Sequence, residues 1–573
     1  MTRLGPIHRR RLLGGMSALG GAGALNALLP GWAQSGTPGR PADLPTVSGP
    51  DIALSVGHTA FKVDGRAAHA VSVNGTVPGP LVRLTEGQTA RISVTNALQE
   101  DTSIHWHGLL VPFQMDGVPG VSFPGIKPGE TFTYEFKVRQ AGTYWYHSHS
   151  GLQEQLGHYG PIVIEPAAAD PVAFDREHVV MLSDYSFMHP HEIFRKMKAQ
   201  SGYFNRQKQT VAGLLAGKDQ SFVERKEWSA MRMDPTDILD VTGATYAYLV
   251  NGHGPQDNWT GLFEPGERVR LRIINAGAMT IFNVRIPGLK LSVVQADGQN
   301  VRPVEVEEFQ ISPAETYDVI VQPQDRAYTL VAEAADRSGT GRATLAPRAG
   351  MTAEVPPLRE RPLLNMRDMG VDHSAMTGME GMAMDHSAMS MRDPRNAPQV
   401  TLGPGVQMIS PMPADRTGDP GQGLENVGHK VLVYTDLVAL EPNPDPRPPS
   451  REMEIHLTGN MERFMWAFDG VGFSHLKDPI PFRLDERVRV TLVNDSMMAH
   501  PIHLHGHFFE VVTGNPGRHP RKHTVNVLPG GRVAFDLTAS DPGDWAFHCH
   551  LLYHMHAGMF NVVTIRPLEG AGA

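Results

Sequence analysis

Three segments of the chain share one pattern, and that repetition restricts the fold more than any other feature. Glu86-Gly87-Gln88-Thr89-Ala90-Arg91-Ile92-Ser93-Val94-Thr95-Asn96, Gly266-Glu267-Arg268-Val269-Arg270-Leu271-Arg272-Ile273-Ile274-Asn275 and Asp485-Glu486-Arg487-Val488-Arg489-Val490-Thr491-Leu492-Val493-Asn494 each pass from a turn into an alternating strand that stops at Asn. Copies at domain-sized intervals indicate one β-sandwich used three times rather than a short-period solenoid. The 573 residues leave room for about three or four domains. Short alternating stretches between Gly and Pro turns recur along most of the length, whereas amphipathic helical stretches are few. The expectation is an all-β chain with domains near 45–168, 172–348 and 427–569.

The repeats also set a register for chemistry. Nine and eleven residues after the terminal Asn, the first copy carries His105 and His107 and the third carries His503 and His505, while the middle copy has Val284 and Ile286. Aliphatic side chains cannot bind a metal, so the middle domain reads as a spacer without a site. A second agreement pairs Gly142-Thr143-Tyr144-Trp145-Tyr146-His147-Ser148-His149 with Gly543-Asp544-Trp545-Ala546-Phe547-His548-Cys549-His550. Ser148 stands where the other domain has its thiol.

Side chains at i and i+2 of a strand share a face, so each His-x-His presents two imidazoles together and turns the middle residue away. If the outer domains pack with these strands facing, His105, His107, His147, His149, His503, His505, His548 and His550 converge, a set that suits a three-copper cluster. Cys549 projects to the opposite side, where His500, His554 and Met559 can complete a His₂Cys site with a weak thioether, the blue-copper arrangement. His548 and His550 flank Cys549 directly, which gives an electron a covalent route between the two sites. His189-Pro190-His191 and His556 fit the same spacing but are read as surface or loop histidines, and His507 as lying behind the ligands at most. Cys549 is the only cysteine, so no intramolecular disulfide can form.

His105-Trp106-His107-Gly108, His147-Ser148-His149, His500-Pro501-Ile502-His503-Leu504-His505 and His548-Cys549-His550 with His554 and Met559 resemble the multicopper oxidase family. The resemblance covers nearly the whole chain after the N-terminal segment and implies cupredoxin-like Greek-key domains. It further implies four copper ions: type 1 on His500, Cys549, His554 and Met559, type 2 on His105 and His503, and a type 3 pair on His107, His147, His149, His505, His548 and His550. Four one-electron oxidations at type 1 copper would then feed reduction of dioxygen to water. Asp116, in Met115-Asp116-Gly117, is the candidate for proton delivery or hydrogen bonding near the cluster; a turn Asp before Gly is the competing reading. Some bacterial relatives carry acidic residues between the type 1 His and the axial Met, but this chain has Met555-His556-Ala557-Gly558.

The segment 349–426 is rich in Pro, Gly and Met and contains Asp-His-Ser-Ala-Met twice, at Asp372 to Met376 and Asp385 to Met389. Thioethers suit Cu(I), with His373 and His386 as supplementary donors; a linker with incidental Met content is the alternative. Met461, Met465, Met497 and Met498 flank the type 1 ligands in sequence and are read as lining the entry to that copper, with core packing the alternative for Met461 and Met465. Together with the N-terminus, the repeats resemble the bacterial copper-resistance protein A group, which implies oxidation of Cu(I) by dioxygen. A small phenolic donor, as in laccases, and a periplasmic copper-sequestering protein are the alternatives.

The N-terminus joins His8-Arg9-Arg10-Arg11-Leu12-Leu13 to a small, apolar stretch and then Gly31-Trp32-Ala33, the pattern of a twin-arginine export signal over 1–33. Its apolar run is shorter than the ~20 residues of a spanning helix, which argues against stable membrane insertion. The expected location is the periplasm, where copper-handling proteins are the available partners. A formal charge of −9 gives no reason to expect nucleic acid.

Overall fold

The computed structural model describes residues 40–41, 43–371, 391–476 and 478–567. The export signal and both Asp-His-Ser-Ala-Met copies lie outside the described residues. The repeats form three equivalent strands, Thr89–Asn96, Val269–Asn275 and Arg487–Asn494. Each pairs in parallel with an earlier strand of its domain, Asp51–Val63, Arg176–Ser186 or Arg451–Asn460. Each also pairs antiparallel with a later one, Thr131–Lys137, Thr316–Val321 or Gly531–Thr538. Strands adjacent in the sheet but distant in the chain require crossovers, the Greek-key arrangement. The protein is thus all-β, with three cupredoxin-like sandwiches. Among the described residues, no helix is long and apolar enough to cross a membrane.

The second sheet of each outer domain carries the histidine motifs. In the first domain its order is Thr46–Ser48, Leu81–Thr85, Tyr159–Glu165, Gly142–His147, His105–His107. In the third it is Ile480–Arg483, Phe560–Arg566, Gly543–Cys549, His500–Leu504, Thr524–Val527. In the middle domain the corresponding strand is Phe282–Arg285, and Val284 and Ile286 are buried in the apolar core.

The Asn that ends each repeat has a structural cause. Asn96 donates to the carbonyls of Glu100 and Ile126, each at 2.8 Å, and accepts from Leu98 N at 2.9 Å. Asn275 makes the same set with Thr280 O, Ile311 O and Gly277 N, each at 2.9 Å. Asn494 does so with Met498 O at 2.7 Å, Val527 O at 2.9 Å and Ser496 N at 2.9 Å. All three side chains are fully buried. Where the chain leaves one sheet for the other it exposes backbone groups that water cannot reach, and one amide satisfies three of them. The corner also fixes how many residues separate Asn from the next strand, which is why the histidine offsets agree.

The described parts of segment 349–426 pack against the domains. Asn365 caps the short turn Met366–Met369, and Met369 and Met408 are buried in the core with Leu364 and Val371. Met461, Met497 and Met498 are likewise core residues, whereas Met465 lines a cavity described below.

Replacing Asn275 with Ala should lower stability by about 2–4 kcal/mol, because buried partners lose their bonds with no water to replace them. Calorimetry of the variant should show a clearly lowered Tm; an unchanged Tm would refute the structural role of this corner.

Candidate metal centre

Strand pairing sets the histidines side by side. His105 is opposite His147 in the first domain, and His503 is opposite His548 with Ile502 opposite Cys549 in the third. The two sheets then meet. His105 stacks on His505 at 3.8 Å and 30°, and His107 on His503 at 3.8 Å and 27°. His548 Nε2 lies 3.0 Å from His505 Nε2 and 3.4 Å from His149 Nε2. His550 packs 4.9 Å from His107 and 5.0 Å from His147, centre to centre. The eight imidazoles of the four His-x-His pairs therefore share one interdomain space.

Their far nitrogens are held from outside. His105 Nδ1 donates to Asp116 O at 2.8 Å and His505 Nδ1 to Asp116 Oδ2 at 2.9 Å. His147 Nδ1 reaches Glu154 Oε2 at 2.7 Å, His503 Nδ1 donates to His523 O at 2.7 Å, and His548 Nδ1 to Cys549 O at 3.0 Å. His107 is the reverse case, with Nε2 3.2 Å from His523 Nδ1. Such bonds fix the tautomer and leave the other nitrogen as a lone-pair donor. Accordingly His105 Nε2, His107 Nδ1, His147 Nε2, His503 Nε2 and His550 Nε2 are buried without a hydrogen-bond partner among the described residues. Buried polar atoms are rarely left unpaired, so these five nitrogens fit bound metal.

Asp116 is buried rather than exposed at a turn tip. It ends the turn Phe113–Met115, and Gly117 follows with φ +84°, where a Cβ would collide with Ile104 O. Only glycine lets the turn close on the His105 strand and bring one residue against imidazoles of both outer domains. His507 bonds to His505 O and to Asp541 N, not to the shared space.

On the other face of the strand, Cys549 Sγ lies 3.5 Å from His500 Nδ1 and 4.0 Å from His554 Nδ1, and the two nitrogens are 3.2 Å apart. An ion about 2.0–2.3 Å from each donor makes a triangle with edges of about 3.5–4 Å, so the three atoms fit one trigonal metal. Met559 is fully buried, its N bonded to His554 O and its O to Cys549 N. Gly558, at φ +130°, passes so close to Trp466 O that a side chain there would clash. Trp466 stacks on His554 at 3.9 Å. Behind the ligands, His500 Nε2 meets Ser496 Oγ at 2.7 Å and His554 Nε2 meets Asp240 Oδ2 at 2.8 Å.

Burial dominates the electrostatics. It holds His107, His147, His149, His500, His503, His505, His550 and His554 well below the ordinary 6.5, with neighbouring imidazoles adding to the shift in all but His554. His548 is lowered to about 4 and the Cys549 thiol is pushed up, both by burial. Neutral imidazoles and a thiol that ionises only beside a cation are the donor set of a copper protein.

Comparison with known proteins agrees. Three family models, each described as multicopper oxidase, match residues 55–169, 215–352 and 446–569. Copper resistance protein A of Escherichia coli is 46% identical, the match covering 97% of this chain and 99% of the relative. A Copper resistance protein A homolog of Pseudomonas syringae pv. tomato is 48% identical over the same shares. The chain belongs to the multicopper oxidase family. The oxidase is therefore a copper-binding oxidoreductase. A laccase from Botrytis aclada shares the fold with a TM-score of 0.60, at 22% identity and coverage of 91% of this chain and 88% of that one.

Four residues that hold the oxidase's histidines escaped the sequence analysis. Ser496 stands four residues before His500; Glu154, Asp240 and His523 come from a 3-10 turn, a loop of the middle domain and a strand junction. No spacing links these last three to the ligands. Their chain neighbours, Gln153 and Gln155 for Glu154 and Arg521, Lys522 and Thr524 for His523, carry no signal that marks them.

For the copper-free oxidase the sign of the pH dependence follows from the lowered imidazoles. Above 6.5 they are neutral folded and unfolded; below it the unfolded chain binds protons that the folded chain refuses. Stability is thus present at neutral pH and lost as pH falls through 6.5, at up to about 1.4 kcal/mol per histidine per pH unit. Thermal melts of copper-free protein should show Tm falling with increasing slope below that pH, and a flat profile would contradict the burial described here.

Proposed function

We propose that the oxidase takes electrons from Cu(I) and passes them to dioxygen, in the periplasm after twin-arginine export, as a device of copper tolerance. In this reading His500, Cys549, His554 and Met559 hold type 1 copper, and His105 and His503 hold type 2. His107, His147, His149, His505, His548 and His550 hold the type 3 pair, for four coppers in all. When bound, these ions accept electrons singly at one site and deliver four of them to O₂ at the other, with four protons, to give two waters. The chain's part is orientation and conduction: His548-Cys549-His550 joins the sites covalently, and Asp116, buried with Oδ1 3.3 Å from His105 Nδ1, is the candidate to move protons. The division into 45–168, 172–348, a segment 349–426 and 427–569 belongs to the same proposal.

The observation that carries the cuprous substrate is where the methionine-rich stretch is anchored. Gly370 O accepts from Met412 N at 2.9 Å and Met391 O from Ile409 N at 2.8 Å, so both ends of 372–390 are tied to one short run. Ser410 in that run donates to Asp495 at 2.8 Å, and the next residue, Ser496, holds His500. The described residues on either side of that segment, Gly370 and Met391, are thus tied through one short run to the proposed type 1 ligand. The names of the relatives at 46% and 48% identity, copper resistance protein A and a homolog of it, support the role in copper tolerance.

A phenolic donor has one observation in its favour. A cavity of about 890 Å³, lined by Met453, Met465, Trp466, Phe468 and Ile480 among others, opens behind the Trp466 ring that stacks on His554. That volume suits an organic molecule better than an ion. A purely sequestering role leaves the tripeptide connection without purpose.

Oxygen uptake by the copper-loaded oxidase, corrected for spontaneous Cu(I) oxidation, separates these readings. Deletion of 372–390, which spares buried Met369, should slow the Cu(I)-driven rate about tenfold, a barrier change of about 1.4 kcal/mol, and leave phenol turnover within about twofold. Negligible Cu(I)-driven uptake beside good phenol turnover would leave a laccase.

A further inference from the structure

Three histidines serve neither copper site, yet the fold gathers them. His189 and His191 begin the helix Pro190–Ala199 of the middle domain, and His556 ends the helix Leu552–His556 of the third, two residues beyond His554. The His189 and His191 rings lie 5.4 Å apart, close to parallel at 18°. His191 and His556 lie 6.5 Å apart across the domain boundary. All three are exposed, and Met188 and Met555, each the immediate chain neighbour of one of them, are half-buried.

The juxtaposition is held from below. Phe194, one turn along the middle-domain helix, packs edge-on against His556 at 4.7 Å and stacks with Tyr553 at 6.2 Å. Lys198, at the far end, donates to Phe464 O at 2.9 Å. The helix is therefore docked over the segment that carries His554, and its first turn cannot drift from His556. Helix stability does not account for the histidines. His189 is the N-cap, but its ring accepts from His191 N at a long 3.4 Å, a task that Ser, Thr, Asp or Asn performs better. Grouped imidazoles repel one another once protonated, so the grouping itself adds no stability.

We propose that His189, His191 and His556 form a surface site for Cu(I), where the substrate ion is held while it gives up its electron. The redox part rests on the cuprous reading above; the binding part does not. With a metal–nitrogen distance of about 2.0 Å and ring nitrogens about 1.1 Å from the ring centre, two imidazoles on one ion have centres about 5–6 Å apart. The 5.4 Å centre separation of His189 and His191 falls within this range, and rotation of the exposed rings would aim their free nitrogens at one ion. The 6.5 Å pair needs only a small side-chain rotation, which exposed residues make freely. Imidazole suits copper, and the adjacent Met188 and Met555 offer the thioether class that favours its cuprous state. His556 and His554 share one short helix with only Met555 between them, so the docked ion sits on the same chain segment as a proposed type 1 ligand. Each Cu(I) loses one electron and departs as Cu(II); four such losses, with four protons, reduce one O₂ to two waters.

The test is an anaerobic titration of copper-loaded oxidase with Cu(I) against a coloured cuprous chelator, paired with oxygen uptake over a range of Cu(I). His191→Asn alone, in the other domain from the type 1 ligands, and His191→Asn with His556→Asn should each bind one Cu(I) per chain fewer than the unsubstituted oxidase. Their KM for Cu(I) should rise about tenfold, a loss of about 1.4 kcal/mol of substrate binding, while the blue absorption of the type 1 site persists. Unchanged stoichiometry would overturn the site, and lost stoichiometry with an unchanged KM would overturn its place on the substrate path. If the unsubstituted oxidase shows no Cu(I)-driven uptake, the cuprous reading fails, and the titration alone still decides whether these histidines bind copper.

Discussion

The structure depends on keeping a crowd of imidazoles buried, neutral and pointing inward. Water would protonate many of them near neutral pH, and like charges at stacking distance would drive the outer domains apart. Burial removes the charge but leaves each ring with two nitrogens to satisfy. The interior answers with hydrogen bonds at Nδ1: Asp116 for His105 and His505, Glu154 for His147, the His523 carbonyl for His503. In His105, His147 and His503 the other nitrogen is buried without a hydrogen-bond partner among the described residues, a donor that fits a metal. Much of the local architecture follows, including the turn that only Gly117 permits and the meeting of the two sheets at their histidine strands.

A second constraint is the two-residue period of a strand. His548 and His550 face the shared histidine space, and Cys549, between them, faces His500 and His554. Two sites of different chemistry are thereby separated by one backbone thickness and joined by covalent bonds. No hinge or moving part is needed for them to communicate, and the strand pairing of Ile502 with Cys549 and His503 with His548 holds the geometry from the neighbouring strand.

What the sequence makes legible is whatever has a period. Alternation reveals the strands, the Asn-terminated repeats reveal their equivalence, and a constant offset from Asn aligns the His-x-His pairs, because the buried Asn corner dictates loop length. Groups that act through a single contact leave no such trace. Asp240 touches His554 across more than three hundred residues of chain, and Glu154 lies in a 3-10 turn without pattern. His189, His191 and His556 show the converse: the sequence describes them as surface or loop histidines, and only the docking of one helix on another domain brings His556 to the His189–His191 pair.

The middle domain illustrates why losing ligands is not losing function. Val284 and Ile286 occupy the ligand offsets and are buried as ordinary core. Yet Asp240 from this domain orients His554, and Asp297 accepts from the backbone of His523 and Thr524 while pairing with buried Lys522. That fixes the junction whose carbonyl holds His503 and whose ring meets His107. Removing a ligand strand from the middle domain costs only its own metal. Removing the domain would leave the far side of both copper sites open to water, and burial is what keeps their donors neutral.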